Sequence, residues 1–318
     1  MIVENRQALQ AMRYVLAIWE KKSFTQAAVS LGLTQPALTQ AVKKTEEILG
    51  VTLFSRTKKS LELSEAGRIY LAKAKAIAAL EGELTREISD LTELRAGTLT
   101  VGGTHFLNAY VLPSAIAAFR LQYPAVDLKL LDAGADELLR MLQDGRIDLT
   151  FSCEAFATAD FKRTFAFEDR LLLAVPKRFD LTFQLQHVAL SAGDVVTKRH
   201  QKGECPEVTL KDFAAFPFVL LTKGNNLYRR SIAMFEKEGF KPKVLFQAGQ
   251  LVTAARLAEA GLGATFVSDR LVGGGEESVF YFKLKDPLTL RRFDAVTLKS
   301  RYESKAQTAF SELVANLC

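Results

Sequence analysis

The sequence predicts a multidomain protein of α and α/β class. It has a small helical N-terminal segment, one long helix, and a C-terminal region in which strands alternate with helices. The first observation is length, because 318 residues exceed the usual size of one hydrophobic core. The second is that apolar residues recur at steps of three and four through much of residues 6–93. The third is that β-prone runs alternate with helical patterns from Gly97 onward.

Two helices are predicted before residue 33. Apolar residues from Leu9 to Trp19 have helical spacing and predict a helix over 6–21 that faces the core. Thr25 can cap a short second helix, and Gly32 can adopt the positive φ at which such a helix ends. A turn of about three residues then leads to the next helix.

A third helix is predicted from Thr34, whose hydroxyl can cap it, to Gly50, which stops it. Pro36 falls in the first turn, where a missing N–H costs little because those donors have no intrahelical partner. The predicted apolar side consists of Leu38, Ala41, Val42, Thr45, Ile48 and Leu49. The predicted outward side carries Gln35, Thr39, Gln40, Lys43 and Lys44.

A small hairpin, or wing, and a long helix complete the N-terminal half of the prediction. Two β-prone runs, 51–54 and 61–63, flank the basic turn 56–60. Ser64 can cap a helix that reaches about Glu93. Its apolar stripe is narrow, which is typical of a helix that pairs with another helix. The stripe consists of Ile77, Leu80, Leu84, Ile88 and Leu91.

The spacing of residues 24–43 is that of a helix-turn-helix, in which the outer face of the second helix enters a DNA major groove. Residues 1–75 contain 12 Lys/Arg and 6 Asp/Glu, so this segment is the basic part of a chain with formal charge +6. Amides suit base edges, and hydroxyls and amines suit phosphates. The alternative is an ordinary solvated helix face. The predicted contacts to double-stranded DNA are Thr34, Gln35, Pro36, Thr39, Gln40 and Lys43 in the helix, with Arg56 and Lys58 in the wing.

From Gly97 onward the pattern predicts a mostly parallel α/β sheet. The first set comprises the strands TLTVGG, VDLKLLD and RIDLTF with helices over 109–122 and 137–143. The second set begins at about residue 165 and comprises FAFEDRLLLAVPK, FPFVLL, KVLFQ and GATFV with helices over 227–237 and 251–259. Residues 191–207 are predicted to form an irregular loop.

Open α/β sheets bind ligands beyond the carboxyl ends of their strands. A hydroxyl and free backbone N–H groups between a strand and a helix can hold a carboxylate, and a lysine adds charge. The sequence therefore predicts a small, anionic effector. For each threonine, the alternative is that it only caps a helix. The candidate effector residues are Thr104, His105, Ser152, Thr222, Lys223 and Asn225.

Composition excludes several classes. With 48% hydrophobic and 25% charged residues, no apolar run of about 18 residues and no secretory pattern, we expect a cytoplasmic globular protein with no membrane partner. Cys153, Cys205 and Cys318 form no CxxC pair, so we expect reduced thiols, although a redox role for Cys153 or Cys205 stays open. The histidines have no metal-ligand spacing, so we expect neither a metal nor a cofactor.

Two rival classes fit part of the sequence. Residues 55–58 match the S-x-x-K pattern of serine acyltransferases, but they fall in the predicted wing and no SDN or KTG follows. Gly102 and Gly103 follow a strand without a nucleotide-binding fingerprint. The C-terminal two thirds alone would fit a solute-binding protein. We predict that the chain is not an enzyme; the alternative is a cytoplasmic small-molecule-binding α/β protein or enzyme with an accessory DNA-binding module.

Residues 23–67, SFTQAAVSLGLTQPALTQAVKKTEEILGVTLFSRTKKSLELSEAG, resemble the winged helix-turn-helix of the LysR-type transcriptional regulators. The similarity includes the AA pair, the TQPAL helix start, the E-x-x-LG-x-x-LF-x-R run into the wing, and the S/T-E-A-G that opens a linker helix. Thr39-Gln40 departs from the serine and arginine of many members, so the base preference stays open. The resemblance implies a sequence-specific transcription regulator that is modulated by an effector.

The resemblance also implies an architecture. The long helix would pair between chains in a homodimer that often assembles further into a tetramer. The C-terminal region would be similar to periplasmic binding proteins, with the effector in a cleft between two α/β (Rossmann-like) subdomains. The chain would cross between them near 163–167 and 267–270. The implied parts are a DNA-binding domain over 1–64, a linker or dimerisation helix over 65–96, and an effector domain over 97–318, with subdomain I over 97–163 and 268–318 and subdomain II over 164–267.

Overall fold

A computed structural model describes residues 2–56, 61–91, 97–153, 159–275 and 277–318. The chain divides into two compact units, Met1–Ile88 with Gln143–Arg146, and Ser89–Leu142 with Ile147–Cys318. Among the residues described, no helix combines the length and the apolar character that crossing a bilayer needs.

The N-terminal unit consists of short helices, a hairpin and a long helix. In chain order the elements are α1 (Ile2–Lys21), α2 (Phe24–Ser30), α3 (Gln35–Leu49), β1 (Phe54–Arg56), β2 (Leu61–Leu63) and α4 (Glu65–Leu91). β1 and β2 pair antiparallel, as expected of a wing. The predicted helix-turn-helix, hairpin and long helix are therefore all present, with β1 starting later than the predicted run over 51–54.

The turns of the helix-turn-helix follow the sequence closely. Gly32 and Gly50 have φ of +67° and +69°, and Thr34 Oγ1 accepts a hydrogen bond from Ala37 N at 3.4 Å, as predicted. The predicted cap of α2 is wrong. Ser23 caps it instead, with its Oγ accepting from Gln26 N at 3.3 Å, because the helix already begins at Phe24.

The core of this motif consists of Ile18, Ala27, Ala28, Leu38 and Val42. Ile48 and Leu49, which were predicted on the buried side of α3, are exposed, Ile48 by 75%. Among the residues of α3, Leu38 and Val42 are the ones buried in this core. Helical periodicity shows which side of a helix is apolar, but it does not show how far along that side other elements pack.

The C-terminal unit alternates strands and helices through most of its length. Its elements are β3 (Thr98–Gly103), α5 (His105–Tyr110), α6 (Leu112–Gln122), β4 (Asp127–Asp132), α7 (Ala135–Gln143), β5 (Leu149–Ser152), β6 (Phe161–Pro176), α8 (Phe183–Val188), α9 (Ala192–Val196), β7 (Pro217–Leu221), α10 (Asn226–Lys237), β8 (Lys243–Ala248), α11 (Leu251–Glu259), β9 (Thr265–Ser268), β10 (Val279–Lys283), β11 (Leu290–Leu298) and α12 (Lys305–Leu317).

The sheet is mixed rather than mostly parallel. Its strand order is β10-β6-β11-β5-β3-β4, with β9 also paired to β6, and β7 and β8 form a parallel pair. The pairs of β3 with β4 and β5 are parallel, whereas β11 runs antiparallel to β5 and β6. We call β3–β5 with α5–α7 and α12 the first lobe, and β7–β9 with α8–α11 the second lobe.

The long strand β6 joins the two lobes. It pairs with β11 up to Arg170, and with β9 from Leu171. β10 also pairs with the second half of β6. The crossings between subdomains expected near 163–167 and 267–270 stay predictions.

Two further differences between the predicted and the observed elements have local causes. The helix predicted over 109–122 is split into α5 and α6 around Val111, and Pro113, which has no N–H to donate, lies in the first turn of α6. The loop predicted over 191–207 contains α9, which a capping box between Ser191 and Asp194 stabilises.

Candidate nucleic-acid interface and ligand cavity

The polar face of α3 is presented to solvent. Gln35, Pro36 and Gln40 are exposed, and Thr39 is half-buried. Gln35 Nε2 donates to Thr39 Oγ1 at 3.1 Å, which leaves the Gln35 carbonyl oxygen as an acceptor. Lys43 Nζ lies 3.8 Å from Glu47 Oε1 on an exposed surface. This face therefore offers donors and acceptors in one row.

Less of the wing than of α3 is described in the structure. The backbone of Arg56 ends β1, but its side chain is not described, and Lys58 lies outside the described residues. Leu53, which precedes β1, is fully buried, and Phe54 packs edge-on against Phe24 of α2 with ring centroids 5.5 Å apart. The base of the wing is thus packed on the helix-turn-helix.

Glu46 is a residue that the sequence argument left without a role. Its Oε1 accepts hydrogen bonds from Leu53 N at 2.6 Å and Phe54 N at 3.2 Å, so it ties the start of the wing to α3. Glu46 is the first residue of the E-x-x-LG run, and this position was the signal in the sequence that could have indicated its role. In the first turn of α4, which follows the wing, a Cβ on Gly67 would lie 2.0 Å from Leu53 O, a contact that only glycine avoids.

The apolar stripe of α4 is exposed in the single chain. Ile77 is half-buried, whereas Leu80, Leu84 and Ile88 are 63%, 59% and 55% exposed. The side chain of Leu91 is not described. Three large apolar side chains on one side of a helix form an unusual exposed surface.

All six residues predicted to bind an effector line one cavity of about 460 Å³ in the C-terminal unit. Thr104, His105 and Ser152 come from the first lobe, and Thr222, Lys223 and Asn225 come from the second. Strands β3, β5 and β7 end at this cavity, as the carboxyl-end rule predicts.

The two threonine hydroxyls are not used as helix caps. Thr104 occupies the N-cap position of α5 without a side-chain capping bond. Thr222 precedes the cap of α10, which is Asn225, whose Oδ1 accepts from Leu227 N at 2.9 Å. The capping alternative therefore fails for both threonine side chains.

Helix N-termini and mixed charges surround the cavity. Ala135, Asn226 and Leu251, the first residues of α7, α10 and α11, all line it. The N-terminus of a helix carries a partial positive charge and free N–H groups that favour anions. The charged lining residues are Asp132, Asp136, Glu137, Arg140, Lys223 and Arg291, with His105 Nδ1 lying 3.7 Å from Asp132 Oδ2.

The sequence argument missed Arg291 because it did not predict β11. Arg291 is buried in an ion pair with Asp169, whose Oδ2 also accepts from Ser268 Oγ at 2.6 Å. Burial lowers the pKa of this guanidinium, but the charge and hydrogen bonds of Asp169, with contributions from Cys153 and Asp269, raise it overall. The buried and exposed residues of β11 alternate near its start, and this period of two was the signal available.

A second buried carboxylate lies where β9 ends. Asp269 Oδ2 lies 2.8 Å from His200 Nε2, and Oδ1 accepts from Arg170 N at 3.1 Å. Burial raises the pKa of Asp269, but these hydrogen bonds outweigh it and hold the pKa below its ordinary value. Within the described part of the chain, no three His, Cys, Asp or Glu residues form a group that could hold a metal ion.

Known proteins are similar to this chain over most of its length. The HTH-type transcriptional regulator YcgK of Bacillus subtilis (strain 168) is 29% identical over 305 residues, covering 96% of this chain and 93% of that protein. The regulator CysB of Burkholderia cenocepacia is 29% identical over 263 residues, covering 82% and 78%. Full-length CbnR complexed with its target DNA has a TM-score of 0.65 at 20% identity, covering 98% and 99%. A full-length variant of OxyR from Pseudomonas aeruginosa has a TM-score of 0.67 at 19% identity, covering 98% of both chains. At these identities the two structures show a shared fold.

Two family models divide the chain as the fold does. The model of bacterial regulatory helix-turn-helix proteins of the lysR family matches residues 9–68, and the model of the LysR substrate binding domain matches residues 92–318. The first match spans α2, α3 and the hairpin, and the second spans both lobes and the residues that line the cavity. The family consists of transcriptional regulators rather than enzymes, and its members bind DNA and small-molecule effectors and form oligomers. The chain belongs to the LysR family of helix-turn-helix transcriptional regulators.

Proposed function

We propose that this regulator reads one DNA sequence through α3 and the wing, and that a small organic anion in the cavity between the lobes controls that binding. The observation that carries the proposal is the convergence on one cavity of six residues chosen from sequence alone. The N-termini of α7, α10 and α11 meet at the same place, and they suit an anion better than a cation or a neutral ligand.

On the DNA side, Gln35 and Gln40 would contact base edges, because an amide can donate and accept at once. Thr39 would contact a thymine methyl group or a phosphate, and Thr34 and Pro36 would place the first turn of α3 against the backbone. Lys43, with Arg56 and Lys58 of the wing, would neutralise phosphates. The solvent exposure of the described part of this face supports these roles.

The proposed organisation follows from the same elements. Residues 1–64 form the DNA-binding domain, 65–96 the linker helix and 97–318 the effector domain. The exposed stripe of α4 supports pairing of this helix between two chains, which would present two copies of α3 to half-sites on one face of the duplex. Such dimers would assemble into tetramers. A cytoplasmic location follows from the need to reach DNA.

In the cavity, the hydroxyls of Thr104, Ser152 and Thr222 would donate to the anion, and Lys223 would add charge from the second lobe. Because each lobe supplies part of the ligand's contacts, a bound ligand would favour one relative orientation of the lobes. That preference, passed along α4, would change the spacing of the DNA-reading helices.

The test combines calorimetry with footprinting. We would titrate a panel of small organic anions into the wild type, Thr104→Ala and Thr222→Ala, and record the DNA footprint with and without each anion. Thr308→Ala is the control, because Thr308 is exposed on α12 and does not line the cavity. We expect one anion to shift the footprint and to bind both cavity variants more weakly than the control. An anion that shifts the footprint but binds all variants equally would place the effector elsewhere.

A further inference from the structure

We infer that Arg291 is the cation that anchors the effector, and that the effector is a small monocarboxylate with an apolar body. This inference rests on the proposed function of the cavity and deepens it by naming the anchoring group and the ligand class. Its basis is a buried guanidinium on an aromatic floor, with one nitrogen to which no residue in the described ranges is hydrogen-bonded.

Burial distinguishes Arg291 from the other cations of the cavity. Arg140 and Lys223 are exposed, whereas Arg291 is only 6% exposed and still lines the cavity wall. Water and salt screen the attraction between an exposed cation and a ligand, but they screen a buried cation much less. Arg291 is therefore the cation of the cavity lining whose charge solvent screens least.

Asp169 holds the guanidinium of Arg291 on one side. Nε donates to Asp169 Oδ1 at 2.7 Å, and Nη2 donates to Asp169 Oδ2. Nη1 makes no hydrogen bond with any other residue that the structure describes. The guanidinium carbon also lies 5.3 Å from the centre of the Phe106 ring and 5.2 Å from that of Phe293. A guanidinium held in this way presents the two N–H groups of Nη1 to a ligand in a fixed direction.

The surroundings select the rest of the ligand. Phe106 and Phe293, which lie against Arg291, line the cavity together with Phe151, so an apolar body can pack there while a carboxylate accepts from Nη1. The Asp169 carboxylate already neutralises part of the arginine's charge, and it would repel a second negative charge placed nearby. We therefore expect a single carboxylate to be preferred over phosphate or a compact dianion.

The test uses 3-phenylpropanoate as the probe, 3-phenylpropanamide as its neutral match, and inorganic phosphate as the competing anion. Calorimetry on the full-length wild type should show binding of the carboxylate and at least about tenfold weaker binding of the amide and of phosphate. The amide can accept a hydrogen bond from the guanidinium but cannot form an ion pair with it, and phosphate has no apolar body to pack on the rings. This comparison needs no variant. If the carboxylate does not bind, or binds no better than the amide, the inference is wrong.

Arg291→Lys keeps the charge but not the fixed fork, and it should weaken carboxylate binding at least about tenfold while weakening amide binding much less. Retained amide binding also shows that the variant's cavity is folded. Arg292→Lys is the matched control, since Arg292 is the next residue of β11, is exposed and pairs with Asp294. It should behave as the wild type.

Failure of the inference can be told apart from failure of the proposed function. If Thr104→Ala and Thr222→Ala weaken carboxylate binding but Arg291→Lys does not, the cavity is the effector site and Arg291 is not its anchor. If Lys223→Gln removes carboxylate binding while Arg291→Lys keeps it, Lys223 is the anchor instead. If no cavity variant changes the affinity, the ligand binds elsewhere and the proposed function fails as well.

Discussion

Replacing Glu46 with alanine removes the acceptor for two backbone N–H groups at the start of the wing, those of Leu53 and Phe54. A hydrogen bond to a charged group contributes about 1.5–3 kcal/mol, so two of them set an upper limit of about 3–6 kcal/mol. Glu46 is half-buried, and water can replace part of this stabilisation in the variant. We therefore expect the wing to open more easily by about 2 kcal/mol.

Amide hydrogen exchange measures this opening directly in the full-length chain. A loss of about 2 kcal/mol corresponds to exchange about 30 times faster in the segment 51–56, and DNA affinity should fall because the wing is no longer held against α3. Glu46→Gln keeps one carbonyl acceptor and should recover about half of the effect. Glu47→Ala is the control, because Glu47 is exposed and its side chain pairs with Lys43. If Glu46→Ala exchanges as slowly as Glu47→Ala, Glu46 does not hold the wing.

Three further predictions address the dimer helix, the DNA face and the buried acid. The double variant Leu84→Asp, Ile88→Asp should sediment as a monomer and bind DNA weakly in titrations. A wild type that sediments as a monomer at micromolar concentration would contradict pairing through α4. Gln40→Ala should cost about 1–3 kcal/mol on the preferred site and relax specificity, whereas Lys43→Ala should weaken all sites and lower the salt slope by about 1 in binding titrations. Asp269 has a folded pKa below its ordinary value of 3.8, so its stabilisation should be present above that value and be lost as the pH falls through the lowered one. The wild type should therefore have a higher free energy of unfolding than Asp269→Asn near neutral pH, and this difference should shrink as the pH falls. A difference in unfolding free energy that does not change with pH would refute this role of Asp269.

Local signals in the N-terminal unit were strong enough to predict most of its elements. Gly32, Thr34 and Gly50 act through their own backbone or nearest neighbours, and each does in the structure what its chemistry predicts. The error at Ile48 and Leu49 has a different origin, because burial of a helix face depends on what covers it. That information lies in the rest of the fold, or in a second chain, rather than in the helix.

In the C-terminal unit the ligand cavity was easier to predict than the sheet. Parallel strands of one sheet end at the same edge, so a general rule brings Thr104 and Ser152 together. Thr222 follows β7, which belongs to the other sheet, and the cleft implied by the family resemblance placed it opposite them. All three residues could therefore be predicted. Arg291 could not, because it lies on β11, which joins the sheet antiparallel from far along the chain. Its buried partner Asp169 is 122 residues away, a distance at which a sequence pattern carries no pairing signal.

The most direct test of sequence-specific DNA reading is a competition titration on the full-length wild type. A duplex selected from a random library would compete with a scrambled duplex of the same length and composition at fixed physiological salt. Specific recognition through the polar face of α3 predicts affinity for the selected duplex at least about 1000 times higher than for the scrambled one. Equal affinity for the two duplexes would contradict it, since phosphate contacts alone carry no sequence information.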